Sequence, residues 1–199
     1  MKCKLHAIWL PALLLGLLLV PAPALAQKGK GKAKGKAQAR EKAEKPTPPA
    51  AMLKLKWFMG TWRCKGNLHA MPGRPEAPFM ATIKIKPELD GHWASVAYTQ
   101  KKTKQNPTPV NALFWYGYDT KRKKYVSTYL NNYGARGHMT NPGWQGDKWI
   151  DTGYVMDRFG EKMPMRMTST KLGKNKIKVL LEVKGPEGWL PINDEVCKR

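Results

Sequence analysis

Lys176-Ile177-Lys178-Val179-Leu180-Leu181-Glu182-Val183 decides the fold. In an extended chain Ile177, Val179, Leu181 and Val183 fall on one side, while Lys176, Lys178 and Glu182 fall on the other. That period of two is the mark of a strand with one face buried and one in water. Val110, Ala112, Phe114, Tyr116 and Tyr118 repeat the pattern, as do Tyr125, Ser127 and Tyr129. Further aromatic and β-branched runs cover Trp57–His69, Phe79–Lys86, His92–Gln100, Trp149–Val155, Met163–Thr170 and Gly188–Cys197. Asp90-Gly91, Asn132-Tyr133-Gly134, Asn141-Pro142-Gly143, Gly173-Lys174-Asn175 and Gly185-Pro186-Glu187-Gly188 punctuate them as turns. No segment sustains a helical period. Short strands joined by short loops predict an antiparallel meander, and closure of a long meander removes its unpaired edges. The expectation is an all-β domain over residues 51–199, a single antiparallel up-and-down barrel of about 8–10 strands.

The residues before it read differently. Lys2 and Lys4 precede the apolar stretch Ala7–Val20, and Ala24-Leu25-Ala26 offers a small-x-small cleavage box. This is the layout of an export signal over residues 1–26. The apolar stretch falls short of the roughly 20 residues that a membrane span needs. Residues 27–50 carry seven Lys and Arg40 against Glu41 and Glu44, with nothing apolar larger than Ala. They read as a disordered linker whose Pro46-Thr47-Pro48-Pro49 end is stiff and extended. The formal charge of the chain is +22; removing the two signal lysines and the linker's +6 leaves +14 on residues 51–199. Cys3 would depart with the signal, leaving Cys64 and Cys197. An even pair in an exported chain predicts a disulfide, the alternative being two free thiols. A Cys64–Cys197 bridge would join the first strand to the last, the junction a closed barrel makes.

Leu55-Lys56-Trp57-Phe58-Met59-Gly60-Thr61-Trp62 resembles the Gly-x-Trp opening of lipocalins and other calycin barrels. With Leu89-Asp90-Gly91, Tyr98, Gly117-Tyr118-Asp119 and Lys123-Lys124-Tyr125-Val126-Ser127-Thr128, it is similar to an uncharacterised bacterial family of lipocalin-like domains. The resemblance runs from Leu55 to about Gly153. It implies a calycin-type barrel with an unassigned ligand and transfers no catalytic residue. Gly60, Trp62 and Gly66 also match the opening of haem barrels of the nitrobindin type, but Cys64 replaces the middle Gly. Those barrels take a proximal His from near the C-terminus, and no His follows His138. No cofactor is therefore expected.

A barrel of this size encloses room for one small ligand. Strand alternation puts Trp62, Trp93, Phe114, Tyr116, Tyr129, Met165 and Met167 on the inward face as candidate ligand-binding residues. Such a wall suits a flat or greasy molecule, and the alternative is that these side chains fill a solid core. His69, His92 and His138 stand alone, without metal-ligand spacing, so no metal site is expected. Ser95 and Ser127 lack a nucleophile-elbow context, and Asp90, Asp119, Asp147 and Glu187 sit at turns without a partner. No catalytic residue is assigned, and an enzyme would need residues dispersed along the chain. Lys121-Arg122-Lys123-Lys124 reads as a hairpin tip and matches no nucleic-acid signature. The expected function is non-catalytic binding of a small apolar or aromatic molecule, by a monomer or small homo-oligomer in the periplasm or outside the cell. The alternative is a structural or adhesive protein that binds lipopolysaccharide, acidic lipid or extracellular polymer through its basic exterior and tail.

Overall fold

The computed structural model describes residues 44–199. The expected signal and most of the expected linker lie outside the described residues. From residue 44 the chain runs along the turn near Asp90, where the His92 ring donates to the Pro46 carbonyl at 3.0 Å. A 3₁₀ segment, Ala50–Phe58, follows and buries Met52 and Leu55. Eleven strands complete the chain: β1 (Gly60–Leu68), β2 (Ala77–Glu88), β3 (Trp93–Gln100), β4 (Asn111–Asp119), β5 (Lys124–Asn131), β6 (Arg136–Asn141), β7 (Trp144–Gln145), β8 (Lys148–Met156), β9 (Lys162–Gly173), β10 (Lys176–Gly185) and β11 (Gly188–Lys198).

All pair antiparallel. The ladder runs in sequence order, passes from β6 to β8 around the two-residue β7, and closes from β11 back to β1. The result is a closed ten-strand up-and-down barrel, as the alternating pattern predicts. Cys64 and Cys197 are direct partners in the closing β1–β11 ladder and are joined by a disulfide. Two details differ from the sequence-based expectation. Trp57 and Phe58 belong to the 3₁₀ segment instead of the first strand, and β6 has no counterpart among the predicted runs. Arg136-Gly137-His138-Met139-Thr140-Asn141 holds one β-branched residue and no aromatic, so only its pairing with β5 and β8 makes it a strand.

The 3₁₀ segment plugs one end of the barrel. Met52 and Leu55 pack with Ala94, Tyr116, Tyr125 and Trp149, and the Tyr125 hydroxyl donates to the Ala51 carbonyl at 2.6 Å. The Trp62 indole donates to the Phe58 carbonyl at 2.7 Å. Arg199 lies over the Trp62 ring and donates to the carbonyls of Trp57 and Met59, tying β1 to the plug. β7 adds Trp144, which stacks on Phe58 with ring centres 5.0 Å apart.

Closure depends on the bare Cα of Gly66. A Cβ there would overlap the Asp194 carbonyl oxygen and lie 2.6 Å from Glu195 Cβ. Gly66→Ala is expected to cost about 1–3 kcal/mol of stability, the range for overpacking a fitted contact. Urea unfolding measures it, and an unchanged midpoint would mean that β1 and β11 separate at this point without loss.

Candidate functional site

The barrel is hollow. Its lumen holds a cavity of about 390 Å³, within the range of small-molecule sites. Trp62, Phe114, Tyr116, Tyr129, Met165 and Met167 all line it, so six of the seven residues expected on the inward face meet in one space. The face of β10 that carries Ile177, Val179, Leu181 and Val183 supplies another wall. Trp93 is the exception and a correction. Ala94, its neighbour, lines the lumen and is 1% exposed, so the period of two turns Trp93 to the outside of the barrel. Its ring covers Gly117, where an added Cβ would come within 2.7 Å of the indole.

The aromatic wall is continuous on one side. Phe114 and Tyr129 have ring centres 4.9 Å apart, and Phe114 and Tyr116 stack at 6.4 Å. Met165 and Met163 continue the apolar lining beyond Tyr129. Methionines there can adjust their shape to a bound molecule.

Two acids that the sequence pattern does not single out lie in this wall. Asp151 is 1% exposed, and its Oδ2 accepts from the Tyr116 hydroxyl at 3.2 Å. Asn141 is brought beside it by the β6–β8 register, in which Thr140 faces Thr152. Asn141 Oδ1 accepts from the Gly143 N–H at 2.6 Å. Asp151 Oδ1, Asn141 Nδ2 and Ser127 Oγ are buried with no hydrogen-bond partner. Burial pushes the Asp151 carboxyl up to about 7; the Tyr116 hydroxyl, with Asn141 and Trp149 behind it, offsets that only in part. The same burial, with the Asp151 charge next to it, raises the Tyr116 phenol well above its ordinary value.

Glu195 on β11 is the second acid. The Tyr98 hydroxyl donates to its Oε2 at 3.4 Å, and Gln100 Nε2 donates to the Tyr98 oxygen at 3.1 Å. Gln100 Oε1 in turn accepts from Asn106 Nδ2 and the Val110 N–H. Burial pushes Glu195 up to about 8, helped by the neighbouring Asp194. Among the described residues, Cys64, Glu195 and Cys197 form the one grouping of three metal-ligand types. The two sulfurs are spent in the disulfide, so it offers one ligand atom. His69, His92 and His138 do not line the cavity; His69 pairs with Asp194 at 3.0 Å.

The profile of a family described as proteins of unknown function (DUF1579) matches residues 45–188, nearly the whole barrel. The chain belongs to the DUF1579 family. This DUF1579 domain thus has the lipocalin-like barrel that the opening Gly60-Thr61-Trp62 resembles. No curated protein gives a significant sequence match. A crystal structure of Rv2717c from M. tuberculosis is 8% identical with a TM-score of 0.60, covering 76% of this chain and 98% of that one. At that identity the likeness is one of fold. A de novo designed fluorescence-activating β-barrel is 12% identical with a TM-score of 0.39, covering 72% of this chain and 94% of the design.

Proposed function

We propose that this DUF1579 barrel is an exported, non-catalytic binding protein that holds one small, largely apolar or aromatic molecule in its lumen. The observation that carries the reading is the cavity of about 390 Å³, walled by Trp62, Phe114, Tyr116, Tyr129 and the methionines of β9. An empty apolar cavity of that size is costly to a fold, because its lining forgoes contacts on one side. A ligand restores them. The buried disulfide fits an oxidising compartment, the periplasm or outside the cell. Native mass spectrometry of the protein purified from its own host tests the proposal. An added mass that survives high salt and leaves on denaturation is the expected result. A barrel that emerges without a bound molecule, and that takes up no apolar fluorophore, would overturn it.

A second reading rests on the outer face of the closing strands. Arg63, Lys198 and Lys176 stand directly opposite one another on β1, β11 and β10, with Lys65 and Lys178 two residues along. Like charges in facing positions are destabilising, and an anionic partner relieves them. Lipopolysaccharide, acidic lipid or an anionic polymer would supply the charge. Retention on anionic vesicles at low salt, lost at high salt, is the expected outcome. Lys176→Glu with Lys198→Glu should reduce it several-fold. Retention that ignores salt would remove this reading and leave the lumen untouched.

A further inference from the structure

The molecule reverses its charge between outside and inside. The exterior carries the excess of lysine and arginine, yet the ionisable groups that line the lumen include Asp151, Glu195 and Asp157 against Arg74 alone. Arg74 donates through one terminal nitrogen to the carbonyls of His69 and Ile192, while its Nε is buried without a partner. No lysine or arginine of the described residues pairs with Asp151 or Glu195, so the interior is an acidic pocket in a basic protein.

We infer that the lumen takes an apolar or aromatic amine, its protonated nitrogen seated on Asp151 beside Tyr116 and its body against Phe114 and Tyr129. This rests on the lumen-binding reading and names the class of ligand. Asp151 is the anchor because one of its oxygens is committed and the other is not. Oδ2 accepts from Tyr116, while Oδ1 is buried without a partner. A buried acceptor left unpaired is destabilising, and a buried carboxylate without a cation is more so. The Asn141 amide and the Trp149 indole beside that carboxyl stabilise it only in part and bring no charge, whereas a positive ligand nitrogen supplies a donor and the missing charge together. The neighbouring aromatic faces favour a cation further, because their electron-rich surfaces attract positive charge. A carboxylic acid seated at Asp151 would set a second anion against the first, and a sugar would leave most of its hydroxyls against apolar wall. Both are disfavoured.

Isothermal titration with three probes of one shape tests this: 1-naphthylmethylamine, 1-naphthylmethanol and 1-naphthoic acid. The full mature chain should bind the amine about tenfold or more tightly than the alcohol, as a charge-assisted bond exceeds a neutral one. The acid should bind weakest. Asp151→Asn, which keeps the shape and removes the charge, should bring the ratio of amine to alcohol near one. If that variant fails to fold, the wild-type ratio alone still decides. Equal binding of amine and alcohol would overturn the amine assignment, with Asn141 or water as the partner of Oδ1, and leave the lumen reading standing. Tightest binding of the acid would also overturn it. Failure of all three to bind the lumen would overturn both readings together.

Discussion

A chain carrying Cys64→Ala and Cys197→Ala is expected to lose about 5 kcal/mol of stability, the largest single effect foreseen for this barrel. The bridge spans 133 residues and so closes nearly the whole domain into one loop. On the chain-entropy account, the cost of opening so long a loop falls on the denatured state, which becomes far more disordered without the bond. At roughly 2–4 °C per kcal/mol for a domain of this size, the melting temperature should fall by about 10–20 °C. Thermal unfolding of the variant measures this, and unfolding of the wild type in reductant gives an independent estimate. The double serine variant should fare worse. Cys64 is 2% exposed and Cys197 is fully buried, so two hydroxyls would be stranded in an apolar cluster with Trp62, Phe79 and Ile177. A loss below about 1 kcal/mol would show that the β1–β11 ladder keeps the barrel's ends together in the denatured state as well.

The bond also bears on the lumen. Glu195 sits two residues before Cys197 on β11, so the bridge fixes the strand that presents one of the two interior acids. A reduced barrel that parts along β1–β11 would expose Glu195 to water and lower its affinity for a proton. Fold and site are therefore coupled through one covalent contact.

The barrel was legible because its inward residues obey a single rule. Ile177, Val179, Leu181 and Val183 can share a face only in a strand, and enough such runs separated by turns leave little choice but a closed meander. What the rule does not set is phase where both faces are apolar. On β3 the sequence Trp93-Ala94-Ser95-Val96 offers a large residue at one phase and small ones at the other, and size favours Trp93. Packing decides otherwise: Gly117 on β4 leaves a hollow on the outer surface that the indole fills. The 3₁₀ plug escaped for a related reason. Its aromatic content reads as strand, whereas its buried residues Met52 and Leu55 are three apart, the period of that tighter helix. Asp151 and Glu195 were hidden by their type. Both occupy inward positions of their strands, in step with Trp149 and Val155 or with Cys197, yet acids are expected in water. The signal was present in their phase. An acid in step with the apolar face of a strand is a functional candidate on that ground alone, because burial there perturbs its charge.

Asp151→Asn is expected to make the ligand-free barrel more stable at alkaline pH and to make its decline with rising pH shallower than that of the wild type. In the folded protein the Asp151 carboxyl titrates near 7, against 3.8 for an exposed one. Below about pH 4 the acid is protonated in both states, and its titration contributes nothing to the pH dependence. Between about pH 4 and 7 the unfolded chain gives up the proton while the folded barrel keeps it, so stability falls as pH rises. Above 7 the folded acid ionises too, and the decline stops. Each unit of difference is worth about 1.4 kcal/mol, so the roughly three units separating the two states amount to about 4 kcal/mol. Glu195 acts in the same direction, over a window from its ordinary range to about 8, and remains in the variant. The wild type should thus lose stability from about pH 4 to 8 more steeply than Asp151→Asn, the two curves diverging until about pH 7 and running parallel beyond it. Urea unfolding at several pH values across that window checks this, and curves parallel throughout would refute a buried, proton-holding Asp151. A cationic occupant changes the outcome in a way that burial alone cannot. With 1-naphthylmethylamine bound, the ionised carboxylate is paired, its penalty is relieved, and the wild-type curve should flatten toward that of the variant.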